Sequence, residues 1–72
     1  MHIFSIFRIN LTVYNLLGDE VTELLNDELS SGYHTIIWEG KNSSGVAMPS
    51  GIYIYKLTAQ EKILTRKMVL MK

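Results

Sequence analysis

Trp38-Glu39-Gly40-Lys41-Asn42-Ser43-Ser44-Gly45-Val46-Ala47-Met48-Pro49-Ser50-Gly51-Ile52-Tyr53-Ile54-Tyr55-Lys56-Leu57 is the stretch whose reading decides the fold. A β-forming run ends on a tryptophan, a Gly/Asn/Ser loop crosses over, and a tyrosine-rich run begins. Gly40, Gly45 and Gly51 punctuate the crossing, where sharp reversals call for positive φ. Pro49 stands two residues ahead of Gly51, so it fixes the loop without removing a hydrogen bond from the strand that follows. The pattern is a corner, and corners join two layers.

Working outward, residues 51–59 place Tyr53, Tyr55 and Leu57 on one face and Ile52 and Ile54 on the other. Gln60-Glu61-Lys62 reads as a polar turn, with residues 63–71 returning as a hairpin partner. On the other side, residues 33–39 set His34, Ile36 and Trp38 against Tyr33, Thr35 and Ile37, and two-sided β-formers predict a central strand. Ser30-Ser31-Gly32 turns the chain before it. Leu16-Leu17-Gly18-Asp19 predicts the first turn, with Gly18 as its αL residue, and residues 21–26 the returning strand. A helix over residues 19–29 competes, since Asp19 could cap it and Val21, Leu24, Leu25 and Glu28 fall at helical spacing. The strand is preferred because the neighbours are β and an isolated helix this short is marginal. Residues 3–13 alternate with period two and form a strand long enough to bend or split.

These elements predict an all-β fold, a small antiparallel immunoglobulin-like β-sandwich. Tyr53, at the start of the strand after the corner, invites comparison with the tyrosine corner of such folds.

The 72 residues make one domain with a modest core, and without cysteine no disulfide or thiolate metal site staples it. At 47% apolar and 19% charged the composition is globular. Seven basic and seven acidic residues cancel, so the electrostatic footprint of a nucleic-acid binder is missing. The charges are segregated, however. Asp19, Glu20, Glu23, Asp27, Glu28 and Glu39 lie in the first half, while Lys62, Arg66, Lys67 and Lys72 crowd the end. No apolar run approaches the roughly 20 residues of a membrane helix. Residues 1–7 lack the basic n-region and cleavage site of a signal peptide.

A catalytic set would have to come from Ser43 or Ser44, His34 and Asp27 or Glu39. Without a Gly-x-Ser-x-Gly elbow or the volume for a pocket, a non-enzyme is expected. Glu39, Asn42 and the carbonyls of Ser43-Ser44-Gly45 are oxygen donors of the kind calcium accepts, but Asn42 and the serines read better as turn formers. His2 and His34 lack further zinc ligands nearby. No metal or cofactor is expected. Trp38, Tyr14, Tyr33, Tyr53 and Tyr55 could form a sugar platform, as in a carbohydrate-binding module, although Trp38 and Tyr53 suit the core of a small sandwich.

Trp-Glu-Gly-Lys-Asn-x-x-Gly followed by Pro-Ser-Gly-Ile-Tyr-x-Tyr-x-Leu resembles the C-terminal sorting domain of the bacterial type IX secretion system. It also resembles that domain's near relative, the immunoglobulin-like domain of the flagellar hook-capping protein. Leu11-Thr12-Val13-Tyr14-Asn15-Leu16-Leu17-Gly18 with Val21, Gly32-Tyr33-His34-Thr35 and the terminal Thr65-Arg66-Lys67-Met68-Val69-Leu70-Met71-Lys72 continue the likeness. The sorting resemblance implies a folded export tag at the end of a larger secreted or cell-surface protein, recognised by the secretion machinery. Lys67, Met68, Val69, Leu70 and Lys72 would be its terminal signal, and Trp38, Gly40, Gly45, Gly51 and Tyr53 its structural signature. The hook-capping resemblance implies instead a structural module that contacts protein subunits. Residues 1–10 match nothing in the sorting family, whose first edge strand is missing or replaced here, and residues 11–72 form the domain proper. Residues 3–9 carry one charge, Arg8, and no proline, so this edge either folds back or pairs a second copy into a homo-oligomer.

Overall fold

The computed structural model describes residues 2–3, 7–30 and 32–71. Its strands are β1 (His2–Ile3), β2 (Phe7–Tyr14), β3 (Glu20–Leu29), β4 (Gly32–Tyr33), β5 (Gly51–Ala59) and β6 (Lys62–Leu70). Four of them form one antiparallel sheet in the order β3-β2-β5-β6, and β1 pairs with β4 in a separate two-stranded ladder. No helix occurs among the described residues, and none there is long and apolar enough to cross a membrane. Residues 20–29 are strand, so the helical spacing in that stretch is incidental.

Period-two alternation in the long first run is spent on two ladders, β1 and β2, with residues 4–6 outside the description. Phe7 to Asn10 pairs within its own chain, against Leu29 to Asn26, and β2 passes from Asn10 to Leu11 without a break. One face of the sheet carries Leu11 and Val13 of β2, Tyr53, Tyr55 and Leu57 of β5, and Leu64 and Met68 of β6. The buried core, Val13, Val21 and Tyr53, sits toward the corner end of that face, with Leu24, Trp38, Met48, Met68 and Leu70 packed against it. Ile9 is fully buried further along β2. The opposite face is polar around Arg8, Asn10, Asn26 and Thr58.

The expected central strand over residues 33–39 is the main correction. Only Gly32–Tyr33 joins a ladder, and that ladder is the two-residue pairing with β1. Residues 34–39 nevertheless keep the alternation: His34, Ile36 and Trp38 are half-buried while Thr35, Ile37 and Glu39 are exposed. The segment thus lies over the sheet as a second layer, and the main sheet's β2 and β5 have paired with each other instead.

Two loops share one construction. Asn15 accepts the Leu17 and Asp19 amides on its Oδ1 at 3.0 and 2.9 Å, its carbonyl accepts Gly18 N–H, and its amide donates to the Asp19 carbonyl. Asn42 repeats each bond, taking the Ser44 and Val46 amides on Oδ1 at 3.0 and 2.9 Å, with Gly45 N–H on its carbonyl and its own amide on Val46. Gly18 and Gly45 hold the matching left-handed position, at φ 88° and 84°. Asn-x-x-Gly is therefore a turn unit used twice, between β2 and β3 and again within the corner loop ahead of β5, since an Asn side chain mimics the backbone and glycine takes positive φ without strain. Replacing Asn42 with Ala removes two side-chain bonds to amides and should lower stability by about 1–2 kcal/mol in thermal or denaturant melts. An unchanged midpoint would mean that the loop does not depend on that side chain.

Candidate interaction surface

At the corner, Tyr53 is 5% exposed and its hydroxyl donates to the carbonyl of Pro49, four residues upstream, at 2.7 Å. This is the tyrosine-corner arrangement, which ties the start of a strand back to the loop that enters it. Trp38 meets the Tyr53 ring edge-on, centroids 5.0 Å apart and planes at 68°, while its indole N–H donates to the Lys41 carbonyl at 2.9 Å. Gly40 is buried at φ 76°, and a Cβ there would stand 3.1 Å from Leu70 Cδ1. Its carbonyl accepts the Met48 amide at 2.8 Å, and Lys41 bridges Ala47 beside it. The expected signature residues thus converge: Trp38, Gly40 and Tyr53 build the corner, Gly45 turns its loop, and Gly51 opens β5.

Away from the corner the second layer stands off the sheet. Between them lies a solvent-open groove of about 730 Å³, floored by Leu11, Leu24, Tyr55, Leu57, Leu64 and Met68 and walled by residues 34–36 and Trp38. A His34 ring nitrogen lies 2.8 Å from the Ser30 carbonyl. Ile37, Ile63 and Leu64 are exposed apolar side chains on the second layer and on β6. An apolar floor with few convergent polar groups suits an apolar side chain or strand of another protein better than it suits bond chemistry.

The remaining candidates scatter. Ser43 and Ser44 lie in the corner loop, where the Ser43 amide donates to the Val21 carbonyl, whereas Asp27 lies on the outer strand β3. Asn42 Oδ1 is turned onto two amides, as its turn-forming reading requires. No group of three or more His, Cys, Asp or Glu residues that could hold a metal ion occurs among the described residues. Of the aromatics with described side chains, only Tyr33 is largely exposed, so three rings do not line up on one face there. Within the expected terminal signal, Met68 and Leu70 pack against the core cluster, Lys67 and Val69 face solvent, and Lys72 lies outside the described residues.

The sequence profile of the FlgD Ig-like domain matches residues 5–62. The chain belongs to that family. Among curated relatives, the basal-body rod modification protein FlgD of Salmonella typhimurium is 35% identical over 52 residues, which cover 72% of this chain and 22% of the relative. The FlgD of Salmonella typhi gives the same figures. The chain therefore spans about a fifth of the length of the FlgD proteins it matches. No solved structure gives a significant match. Of the two resemblances carried by the corner and its flanks, the comparison supports the flagellar one. The groove was not foreseen, because its floor is assembled from four strands whose register no local pattern reveals.

Tyr53→Phe keeps the ring but leaves the Pro49 carbonyl without its donor, and should cost about 1 kcal/mol. Tyr53→Ala should cost about 3–5 kcal/mol, enough to unfold much of so small a domain. Cooperative melting of the alanine variant near the wild-type midpoint would show that the corner is not what holds the layers together.

Proposed function

We propose that the chain is a non-enzymatic immunoglobulin-like module of the hook-capping type, working by contact with protein subunits. Membership of the FlgD Ig-like family supports this, and the observation that carries it in the structure is the open apolar groove beside the corner. A small sandwich fully closed on itself would cover Leu57 and Leu64 with its own second layer. Here those side chains remain available to an incoming partner.

The test is a chimera. The matched region of Salmonella typhimurium FlgD is replaced by this chain, and hook assembly and motility are scored against a deletion of the same region. The module reading expects the chimera to recover function beyond the deletion, and expects Leu64→Asp, a change at an exposed position of the groove floor, to reduce that recovery without unfolding the domain. A folded chimera no better than the deletion would contradict it.

The sorting reading keeps one supporting observation: Lys67, Met68, Val69 and Leu70 lie on β6, the last strand in the sheet order. Deleting residues 68–72 would not test it, because Met68 and Leu70 pack against the core and their loss would unfold the domain. Lys67→Glu with Val69→Ser changes the exposed part of the signal alone. In a type IX-competent host, a reporter carrying the chain should be exported and this double variant retained if sorting is its role. Retention of both would remove that reading and leave the structural module.

A further inference from the structure

The two outer strands of the four-stranded sheet carry opposite charge. β3 contains Glu20, Glu23, Asp27 and Glu28 and no basic residue, while β6 contains Lys62, Arg66 and Lys67 and no acidic one. All seven of these side chains are exposed. Edges of this kind are templates for further strand pairing unless something blocks them. On β3 the corner loop occupies one position, where Ser43 N–H reaches the Val21 carbonyl, and register shifts interrupt the ladder beyond Leu11. From Asn26 to Leu29 the pairing with β2 is regular, and no strand among the described residues covers the outer side of either β3 or β6.

We propose that this chain binds a second copy of itself edge to edge, β6 of one against β3 of the next, as a head-to-tail extension of the sheet. Strand direction permits it. Neighbours alternate through β3-β2-β5-β6, so the two edges run in opposite senses, and a copy set alongside in the same orientation meets its neighbour antiparallel. Register favours it as well. Through the ladders, Asp27 stands in one row with Ile9, Ala59 and Lys62, and Leu25 in one row with Leu11, Leu57 and Leu64. A neighbour added without sliding along the strands brings its Lys62 to Asp27 and its Leu64 to Leu25. Beyond Leu25 the register shift turns Glu23 to the face opposite Arg66, and there the two edges attract through their charge rather than through a cross-strand pair. Opposite charges and apolar pairs directly across a ladder stabilise it. The contact also continues the leucine row that floors the groove, and so covers part of Leu64, which is 39% exposed.

The symmetric alternatives are disfavoured by the same charges. A two-fold pairing of β6 with β6 sets Lys62, Arg66 and Lys67 against themselves, and β3 with β3 does the same for four carboxylates. The contact is therefore heterologous, and it closes into a ring or runs on as a chain according to the sheet's twist. This inference does not depend on which assembly the module serves.

Sedimentation velocity on the full chain in low salt should show the weight-average mass rising with concentration and falling back as salt screens the edges. Lys62→Glu with Arg66→Glu makes both edges net acidic, and Glu23→Lys with Asp27→Lys brings β3 to zero net charge and sets a lysine at position 27 against Lys62 of the neighbour. Each double variant, checked for cooperative melting, should lose about tenfold or more in self-association, while an equimolar mixture of the two should recover it. A wild-type chain that stays monomeric to millimolar concentration would overturn the proposal, as would double variants that self-associate like the wild type. Concentration-dependent amide shifts in the wild-type NMR spectrum give a reading independent of any variant. Shifts confined to β3 and β6 are expected, and shifts confined to residues 34–37 would place the contact elsewhere.

Discussion

The fold depends on the seating of one ring. Tyr53 fills the core between β2 and the second layer while its hydroxyl holds the Pro49 carbonyl, so a single side chain fixes both the burial of β5 and the path by which the chain arrives at it. Trp38 packs edge-on against that ring and is pinned by its indole N–H to Lys41, which brings the far side of the crossover to the same point. Gly40 is the steric condition for this closeness: its backbone is left-handed and Leu70 leaves little room for a side chain there. The four-stranded sheet forms by its own ladders, but the second layer is attached to it chiefly here.

Attachment at one end explains the opening at the other. Residues 35 and 36 belong to no strand, so beyond Trp38 the second layer does not continue the sheet, and the apolar floor runs out into an open groove. The structural need and the open groove thus have the same origin. A protein with a continuous second sheet would gain stability by covering this floor and would lose the surface.

Much of this was legible in the sequence because alternation reports burial. Tyr53, Tyr55 and Leu57 fall on one face as their spacing requires, and Gly18 and Gly45 occupy the left-handed positions that Asn-x-x-Gly demands. The tyrosine corner could be anticipated from the position of Tyr53 alone. What alternation cannot report is which strand supplies the hydrogen bonds. Residues 33–39 have the side-chain pattern of a central strand and keep it, yet of them the strand assignment includes only Tyr33. The groove was hidden for the same reason, since Leu24, Leu57 and Leu64 meet only through tertiary register. The terminal segment was legible as a strand, but its motif could not separate a recognition signal from core packing, and Met68 and Leu70 serve the core.

Amide hydrogen exchange by NMR tests the layered arrangement most directly, because it reads ladder bonding residue by residue. The slowest exchange should fall on β2 and β5, the two inner strands of the sheet, with the amides of residues 35–37 faster by on the order of 100-fold. Protection at residues 35–37 equal to that of β5 would mean that they belong to a hydrogen-bonded strand. The second layer would then be a true sheet, and the account of a layer hung on the Tyr53 corner would be wrong.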